Sequence, residues 1–369
     1  MNKSRSGSQV MLGLIGMIRP LITVMLVAIF MGCIGNLMAI FITVLGGMGI
    51  GNVLGIDRTM SLTTIFVLAI ICAVLRGILR YAEQASNHYI AFKLLASIRH
   101  QIFSALRKLA PAKLDGKEKG NLISIITSDI ELLEVFYAHT ISPIAIAVLT
   151  SIVMVIFIGR YHWFLGAIAL FFYIIVGAVI PIINSKAGQK YGQKYRKLYG
   201  NLNTTVLDNL YGLDEILQYG KENDRKEKMD KFTDELEEVN DKLKQQEGRQ
   251  RVSTDIVILL AGVVMLLASA ALVPAGETII CTIAMMSSFG PTGALSALSN
   301  NLNQTLASGN RVLNLLEEEP VVAEVESNVS VPKGELKLSD VTFGYPNAEK
   351  NILENFSLQI EENTIHGIL

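Results

Sequence analysis

The chain has 369 residues, of which 51% are hydrophobic and 18% are charged. A soluble domain of this length is seldom so apolar, so the composition indicates a protein that spans a membrane. The net charge of −1 gives no electrostatic reason to expect nucleic acid as a partner, and we predict none.

The first apolar run is preceded by a short basic segment. Lys3, Arg5 and Arg19 lie within residues 1–19, which we assign to a cytoplasmic N-terminus. Within it, residues 10–19 are expected to form a short helix that lies along the membrane interface.

Six apolar runs follow, and each is long enough for the ~20 residues that cross a bilayer. The third and fourth are separated only by Arg160–His162, which predicts a tight hairpin. Pro291 beside Gly290 predicts a bend in the sixth, because proline removes a helical hydrogen bond. The runs are 20–56, 59–78, 138–159, 163–184, 254–273 and a last one that follows Glu277 and stays charge-free to Asn310.

The connections after the second and fourth runs are long, polar and rich in lysine and arginine. Read as helices, each supplies two legs that reach tens of ångströms beyond the bilayer, at ~1.5 Å per residue. The opposite loops offer little positive charge beyond Arg58 and Arg160. By the positive-inside rule, both long connections and both termini are predicted to be cytoplasmic, in a multi-pass protein of the plasma membrane.

Polar residues inside the apolar runs are candidates for a solute path, because burying them in lipid is costly. Structural alternatives stand beside each candidate: an arginine can snorkel or contact a leg, and serines often bond their own backbone. The candidates carried forward are Asn36, Arg76, Ser287 and Ser288, from a longer set that also holds His139, Tyr173 and Thr292.

Cysteine and histidine spacing predicts neither a metal site nor a haem site. Cys33, Cys72 and Cys281 each lie in an apolar run without CxxC spacing, so no disulfide framework is expected either. The five histidines show no ligand spacing.

After residue 315 the hydropathy falls and the pattern changes. Residues 316–334 read as a linker, and alternation typical of β-strands follows. The alternating runs are Glu335–Leu338, Val341–Pro346 and Phe356–Ile360, and Thr364–Leu369 has the pattern of the beginning of a buried strand.

The stretch from Gly334 to Leu369 resembles the opening of an ABC ATPase domain, in which antiparallel strands precede the strand that feeds the phosphate-binding loop. The resemblance implies that Tyr345 stacks on adenine, and that ATP and Mg²⁺ are cofactors of the full-length protein. The G-x-x-x-x-G-K-[ST] motif that comes next in that family does not occur in this sequence. We therefore expect this chain alone not to be catalytic and the full-length protein to be an ATP-hydrolysing transporter.

Two cytoplasmic stretches resemble the turns of ABC exporter half-transporters. Gly120–Ser124 followed by Asp129–Glu131 matches the pattern after the first turn, which implies a transverse coupling helix at Pro111–Glu118. Leu207–Leu217 holds the corresponding position in the second connection. The coupling residues implied are Pro111, Leu114 and Asp115 in the first turn, and Tyr211, Gly212, Asp214 and Glu215 in the second.

A finer resemblance is to the bacterial heterodimeric thiol (cysteine and glutathione) exporters linked to cytochrome bd assembly, particularly their CydC-type half. It implies a second half-transporter as partner, with a heterodimer favoured over a homodimer, and a small-molecule substrate such as a thiol or an amino acid. The segments that carry it are Leu109–Ala112, Leu133–Tyr137, Ile141–Pro143 and Gly212–Gly220.

Together these patterns predict an all-α membrane protein with six transmembrane helices and two long cytoplasmic helical hairpins, plus the first β-strands of a truncated α/β ABC ATPase domain. Residues 20–315 would form the transmembrane domain and residues 335–369 the start of the nucleotide-binding domain. The predicted function is ATP-driven export across the lipid bilayer by alternating access. Two alternatives stay open: a lipid or drug flippase of the same architecture, and a non-transporting six-span scaffold or receptor.

Overall fold

The computed structural model describes residues 5–56, 60–110, 119–320, 334–344, 350–365 and 367. Helices dominate the chain up to Leu316, and two strands, β1 Leu336–Phe343 and β2 Leu353–Ile360, follow. The helices are α1 Gly7–Gly16, α2 Ile22–Val53, α3 Leu62–Leu109, α4 Lys119–Ser124, α5 Ile130–Phe136, α6 Ser142–Gly159, α7 Trp163–Ile174, α8 Ile180–Tyr211, α9 Leu213–Gln218, α10 Glu222–Leu272, α11 Ala275–Ser287 and α12 Phe289–Leu316.

Several of these helices run into one another without a loop. A π-helical turn closes its hydrogen bonds five residues apart instead of four, so it changes the face that the following helix presents. The π-turns are Ile125–Asp129 between α4 and α5, Tyr137–Ile141 between α5 and α6, and Ile175–Val179 between α7 and α8.

Among the residues that the structure describes, six helical stretches are long and apolar enough to cross a membrane, which confirms the number predicted from the sequence. α3 has 48 residues and α10 has 51. At ~1.5 Å per residue, each exceeds twice the ~30 Å thickness of the hydrocarbon core. The long polar connections are therefore helical continuations of the spans, as expected. The six stretches are Arg19–Val53, Leu62–Leu109, Leu122–Gly159, Trp163–Asn184, Glu222–Leu272 and Ala275–Leu295.

Local chemistry accounts for both ends of α3. At its start, the hydroxyl of Ser61 accepts a hydrogen bond from the N–H of Thr64 at 3.2 Å, which satisfies a backbone donor that the first turn leaves free. At its end, Ala110 leaves the helical region with ψ of 152°. The next residue in the sequence is Pro111, and the residue before a proline disfavours the helical conformation.

The sixth span is interrupted where the sequence predicts a bend. α11 ends at Ser287 and α12 begins at Phe289. Pro291 has no N–H, so the carbonyl of Ser287 lacks the partner that a continuous helix would supply. The break therefore lies about one turn before the proline, at Ser288.

The buried side chains of the described residues form two hydrophobic clusters. The first joins α1, α3, α5 and α12, through side chains such as Leu94 and Leu133. The second joins α2, α6, α7, α10 and α11, through side chains such as Met154 and Met265. The first cluster thus binds the N-terminal helix and the legs together, while the second packs the spans.

The expected N-terminal helix is present as α1. Ser6 caps it through reciprocal hydrogen bonds with Gln9. Val10 and Leu14 are buried, whereas Leu12 on the other face is 70% exposed. This amphipathic arrangement suits a helix at the membrane interface, and that position stays a prediction.

β1 and β2 pair antiparallel, with Leu336 opposite Ile360 and Phe343 opposite Leu353. The alternating runs on either side of residue 350 thus form one hairpin. The prediction of a buried strand at 364–369 is wrong for the residues described there, since Ile365 lies outside any strand and is fully exposed. A buried strand needs a neighbour to pair with, and the two described strands pair with each other.

Candidate functional site

The break in the sixth span is held by a pair of hydroxyl groups. The oxygens of Tyr173 on α7 and Ser288 lie 2.5 Å apart, and Ser288 donates to the carbonyl of Met285 at 2.8 Å. Tyr173 is therefore the donor to Ser288. The ring of Tyr173 also packs edge-on against Phe289, with centroids 5.2 Å apart. Ser288 is thus buried inside the helix bundle.

The other three solute-path candidates have different surroundings. Asn36 is half-buried, and its Nδ2 donates to the carbonyl of Gly32 at 2.8 Å. Ser287 is half-buried and donates to the carbonyl of Ile283 at 2.8 Å. Arg76 is exposed on α3 and makes no ion pair with the described residues. The backbone bonds of Asn36 and Ser287 match the structural alternative, and a path role for the four residues stays a prediction.

Three buried polar side chains on α3 and α6 were not predicted from the sequence. Glu83 on α3 is 3% exposed, and its carboxylate accepts a hydrogen bond from Arg80 at 2.8 Å. Asn87, further along α3, and Ser142, at the start of α6, are also buried. The side-chain oxygens of Asn87 and Ser142 have no hydrogen-bond partner among the described residues. Buried polar atoms without partners are costly, so they point to a functional role.

Contacts at Gly32 of α2 place Glu83 of α3 and Ile146 of α6 at one level of the bundle. A side chain there would lie 3.0 Å from the carboxyl carbon of Glu83 and 2.3 Å from the Cδ1 of Ile146 on α6. Asn87 follows Glu83 by four residues, and Ser142 precedes Ile146 by four. Because α3 and α6 run in opposite directions, Asn87 and Ser142 both lie one turn further towards the same end.

Glu83 was not predicted from the sequence because it lies just beyond the apolar part of the second span. The four-residue spacing of Glu83 and Asn87 could have indicated their role, because it places both side chains on one face of the helix. The apolar run before them already predicts that helix.

The turn of the second hairpin exposes apolar side chains far from the spans. Gly212 separates α8 from the short α9, and Gly220, at a φ of +61°, ends α9 in a conformation that favours glycine. Tyr211 is 86% exposed, and Asp214 and Glu215 are exposed in the first turn of α9. Exposed apolar patches of this kind mark interaction sites. The apolar side chains exposed with Tyr211 are Leu210, Leu213, Leu217 and Tyr219.

Lys221 marks the start of the helix that leads back to the membrane. Its Nζ lies 2.8 Å from Oδ2 of Asp224, and this hydrogen bond raises the pKa of the lysine above its ordinary value. Both side chains are exposed, so the ion pair adds little stability. The corresponding turn of the first hairpin, with Pro111, Leu114 and Asp115, lies outside the described residues, and its coupling role stays a prediction.

A buried ion pair joins the first hairpin to the last helix. Asp129, at the end of the π-turn Ile125–Asp129, is 1% exposed. Its carboxylate accepts hydrogen bonds from Nε of Arg311 at 2.7 Å, from Nη2 of the same guanidinium, and from Oγ of Ser308 at 2.9 Å. Asp129 belongs to the sequence pattern noted above, but its partners on α12 become apparent only in three dimensions.

Arg5 fastens the N-terminal segment to the same helix. Its Nη1 donates to the side-chain oxygens of Asn310 at 3.2 Å and Asn314 at 2.5 Å, and its Nη2 lies 2.5 Å from a carboxylate oxygen of Glu317. The helix that leads towards the strands is thus held by Arg5 near its end and by Asp129 about one turn earlier.

Two kinds of cofactor contact were considered in the sequence: an aromatic ring for adenine and a group of metal ligands. Tyr345, the residue expected to stack on adenine, lies outside the described residues. Within the part of the chain that the structure describes, no group of three or more His, Cys, Asp or Glu side chains is placed to hold a metal ion.

The chain is similar to known ABC transporter proteins over most of its length. A family model of the ABC transporter transmembrane region matches residues 21–290. A probable ABC transporter ATP-binding/permease protein of Haemophilus influenzae is 42% identical over 99% of this chain and 67% of its own length. The glutathione/L-cysteine transport system ATP-binding/permease protein CydC of Escherichia coli is 27% identical, over 80% of this chain and 53% of its own length. An ATP-dependent lipid A-core flippase of Shewanella frigidimarina is 23% identical, over 78% of this chain and 48% of its own length. The chain therefore spans between about half and two thirds of the length of these relatives.

Proposed function

Because the chain belongs to the family of ABC transporter transmembrane regions, we propose that it is the membrane-spanning part of an exporter half that uses ATP to move a small solute outward. The observation that carries this proposal is the length of α3 and α10, which continue far past the bilayer, together with the exposed apolar turn that precedes α10. Such legs suit levers between a soluble ATPase and a membrane cavity. A scaffold or receptor with six spans would not require them.

The turn that contains Tyr211 and Leu213 is the proposed docking surface for an ATPase domain. Its apolar side chains are exposed in this chain and would be buried by such a partner. Residues 111–118 would supply a second contact. Movement of the ATPase domains would then pass along α8 and α10 to the spans, and along the first hairpin through Asp129 to α12. The break at Ser288 gives the sixth span a place to bend.

ATP would act on the ATPase domain that begins with β1 and β2. Tyr345 of this chain would stack on the adenine ring, and Mg²⁺ would bind together with the phosphates of ATP. Bound ATP can drive the movement only by favouring the closed arrangement of two halves over the open one. A second half-transporter is therefore part of the proposal, with a different chain favoured over a second copy.

The charge distribution supports the proposed orientation. The long hairpins carry most of the lysines and arginines, whereas Arg160 is the main positive charge of the tight α6–α7 hairpin. We place the hairpin turns and both termini in the cytoplasm, in the plasma membrane of a bacterial cell.

A small solute that carries an ammonium group is the favoured substrate, with cysteine and glutathione as examples. Glu83, Asn87 and Ser142 present acceptor oxygens in a buried place, and those of Asn87 and Ser142 lack partners. An ammonium group supplies three donors and a positive charge, which complement these oxygens. The relatives named for glutathione and L-cysteine transport, at 25% and 27% identity, support the same substrate class.

Lipid flipping is the second candidate function. It is supported by relatives named as lipid A-core flippases at 23–24% identity. A flippase would not need the acceptor oxygens around Glu83, so a substitution there separates the two candidates.

The test is ATP hydrolysis by the full-length protein in liposomes, with and without a candidate partner half, across thiols, amino acids, lipids and drugs. We expect stimulation by cysteine or glutathione only with the partner present, and its loss in Glu83→Gln while basal hydrolysis persists. Stimulation by lipids that Glu83→Gln leaves intact would establish the flippase instead. Absence of hydrolysis under every condition would overturn the proposal of an ATP-driven transporter.

A further inference from the structure

The tight hairpin between α6 and α7 brings two helices into backbone contact. A side chain at Gly166 of α7 would lie 2.9 Å from Cα of Gly159 and 3.0 Å from the carbonyl oxygen of Val155, both on α6. Only a residue without a side chain permits this approach. The two glycines therefore allow α6 and α7 to pack closely. Because neither glycine has a side chain, the surface beside them stays open.

A groove lies beside this contact, on the outer surface of the bundle. It has a volume of about 560 Å³, which falls within the ~300–1,000 Å³ of ordinary ligand sites. It extends from the hairpin turn along α7 to Leu170, seven residues after Trp163, or roughly 10 Å into the span at ~1.5 Å per residue. Its walls are apolar side chains and glycine backbone, among them Val155, Ile156, Gly159, Gly166, Ala167 and Leu170.

The mouth of the groove differs from its walls because it carries hydrogen-bond donors. Arg160 is exposed there and makes no ion pair with any described residue. His162 neighbours the lining residue Trp163 but does not itself line the groove, and its Nδ1 accepts a hydrogen bond from the N–H of Phe164 at 3.2 Å. In the neutral imidazole the proton then lies on Nε2, which is available as a donor. Trp163 is 74% exposed beside them and stacks on His162.

We propose that this groove binds one anionic phospholipid of the bilayer leaflet opposite the long hairpins. The phosphate would contact the guanidinium of Arg160, with Nε2 of His162 as a second donor, and an acyl chain would occupy the apolar groove towards Leu170. Trp163 would lie at the level of the glycerol backbone, where tryptophan is favoured at membrane interfaces.

The chemistry of the groove selects this occupant. A guanidinium pairs well with a phosphate, and this one has no competing carboxylate among the described residues. A soluble anion would use the mouth but leave the apolar walls unfilled. A zwitterionic lipid would fill the walls but would bring its own positive charge close to Arg160. The site is distinct from the solute path, because none of Asn36, Arg76, Ser287 and Ser288 lines the groove.

The experiment uses Trp163, the one tryptophan in this sequence, as a reporter. The full-length protein is placed in phosphatidylcholine bilayers, and a rising fraction is replaced by dibrominated phosphatidylglycerol or dibrominated phosphatidylcholine. The fluorescence of a Trp163→Phe variant is subtracted, so that the remaining quenching reports lipid at the groove. We expect half-maximal quenching at about a five-fold lower fraction of the anionic lipid, the gain typical of one basic side chain at a charged lipid surface.

Three variants decide the result. Arg160→Gln should remove the preference for the anionic lipid, Arg160→Lys should keep most of it, and Arg225→Gln, an exposed arginine far from the groove, should leave it unchanged. Ala167→Phe fills the groove without touching the glycine contact and should weaken quenching by the anionic lipid while Arg160 is still present. An equal response to both lipids in the unaltered protein, or a preference that survives Arg160→Gln, would overturn the proposal. Competition by millimolar glycerol phosphate would also overturn it, because the site would then belong to a soluble anion.

Discussion

Asp129 and Arg311 are 182 positions apart in the sequence, yet Nε of Arg311 lies 2.7 Å from Oδ2 of Asp129. The side chain of Asp129 is 1% exposed and that of Arg311 is 51% exposed. The carboxylate therefore depends on Arg311 and Ser308 for its hydrogen bonds, while the guanidinium keeps access to water. This pair ties the first hairpin, just after its turn, to the helix that leads towards the ATPase strands.

Replacing Arg311 with methionine should destabilise the protein, because it leaves a buried carboxylate without its counter-charge. We expect a loss of about 3 kcal/mol in the free energy of unfolding, the low end for a broken buried pair, since the guanidinium is half-exposed. The double variant Asp129→Asn, Arg311→Met should recover part of that loss. Denaturant unfolding in detergent measures both, with Arg225→Gln as an exposed-arginine control. Strictly additive effects would show that the two groups do not act as a pair.

The hydroxyl pair at the break of the sixth span makes a second prediction. Ser288→Ala leaves the buried hydroxyl of Tyr173 without its acceptor, so we expect a loss of about 1–3 kcal/mol. Tyr173→Phe combined with Ser288→Ala should cost less than Ser288→Ala alone, because no polar group is then left unsatisfied. Thermal unfolding of the two variants, with the unaltered protein as the reference, gives the comparison. If the single and double variants lost the same free energy of unfolding, the hydrogen bond between Tyr173 and Ser288 would not stabilise the break.

The sequence predicted the parts of the fold that hydropathy governs. The six spans were found because lipid requires long uncharged runs, and the break near Pro291 because proline lacks an N–H. The relation of Asp129 to Arg311 was not predictable, since nothing local distinguishes that aspartate from its solvated neighbours. The absence of a strand at Ile365 follows from tertiary context, because a short apolar run becomes a buried strand only beside a pairing partner.

One part of the candidate site was predicted from the sequence and another part was not. The exposed turn at Tyr211 and Gly212 was expected from a family pattern, and the structure adds that apolar side chains surround it. Glu83, Asn87 and Ser142 were not predicted, because hydropathy alone does not distinguish them from the other polar residues of the chain. Their significance comes from burial and from missing hydrogen-bond partners, which are three-dimensional properties.

The glycine contact of the α6–α7 hairpin predicts opposite effects at two glycines. Gly166→Ala would press a methyl group onto the backbone of α6, at 2.9 Å from Cα of Gly159, and should cost about 1–3 kcal/mol. Gly77→Ala, also within a helix, meets nothing within 4 Å and should be neutral or stabilising by up to about 1 kcal/mol, because alanine favours helix. Thermal unfolding of both variants tests this. A destabilised Gly77→Ala with an unaffected Gly166→Ala would contradict the described packing.

The turn of the second hairpin makes a prediction about coupling. Tyr211→Ser combined with Leu213→Ser removes exposed apolar surface, so it should leave folding and membrane insertion intact. Solute-stimulated ATP hydrolysis should fall at least about tenfold, as expected when interface anchors are lost. Tyr199→Ser, an exposed tyrosine on the same helix away from the turn, is the control and should retain stimulation. Full stimulation in the double variant would exclude this turn as the docking surface.

The most direct test of the central claim is ATP-dependent uptake of labelled cysteine into inside-out vesicles that contain the full-length protein and its partner half. We predict that cysteine accumulates against a gradient and that this accumulation requires ATP and both halves. The Tyr211→Ser, Leu213→Ser double variant should abolish the accumulation. Vesicles that hydrolyse ATP but accumulate neither cysteine nor any other solute or lipid offered would contradict it.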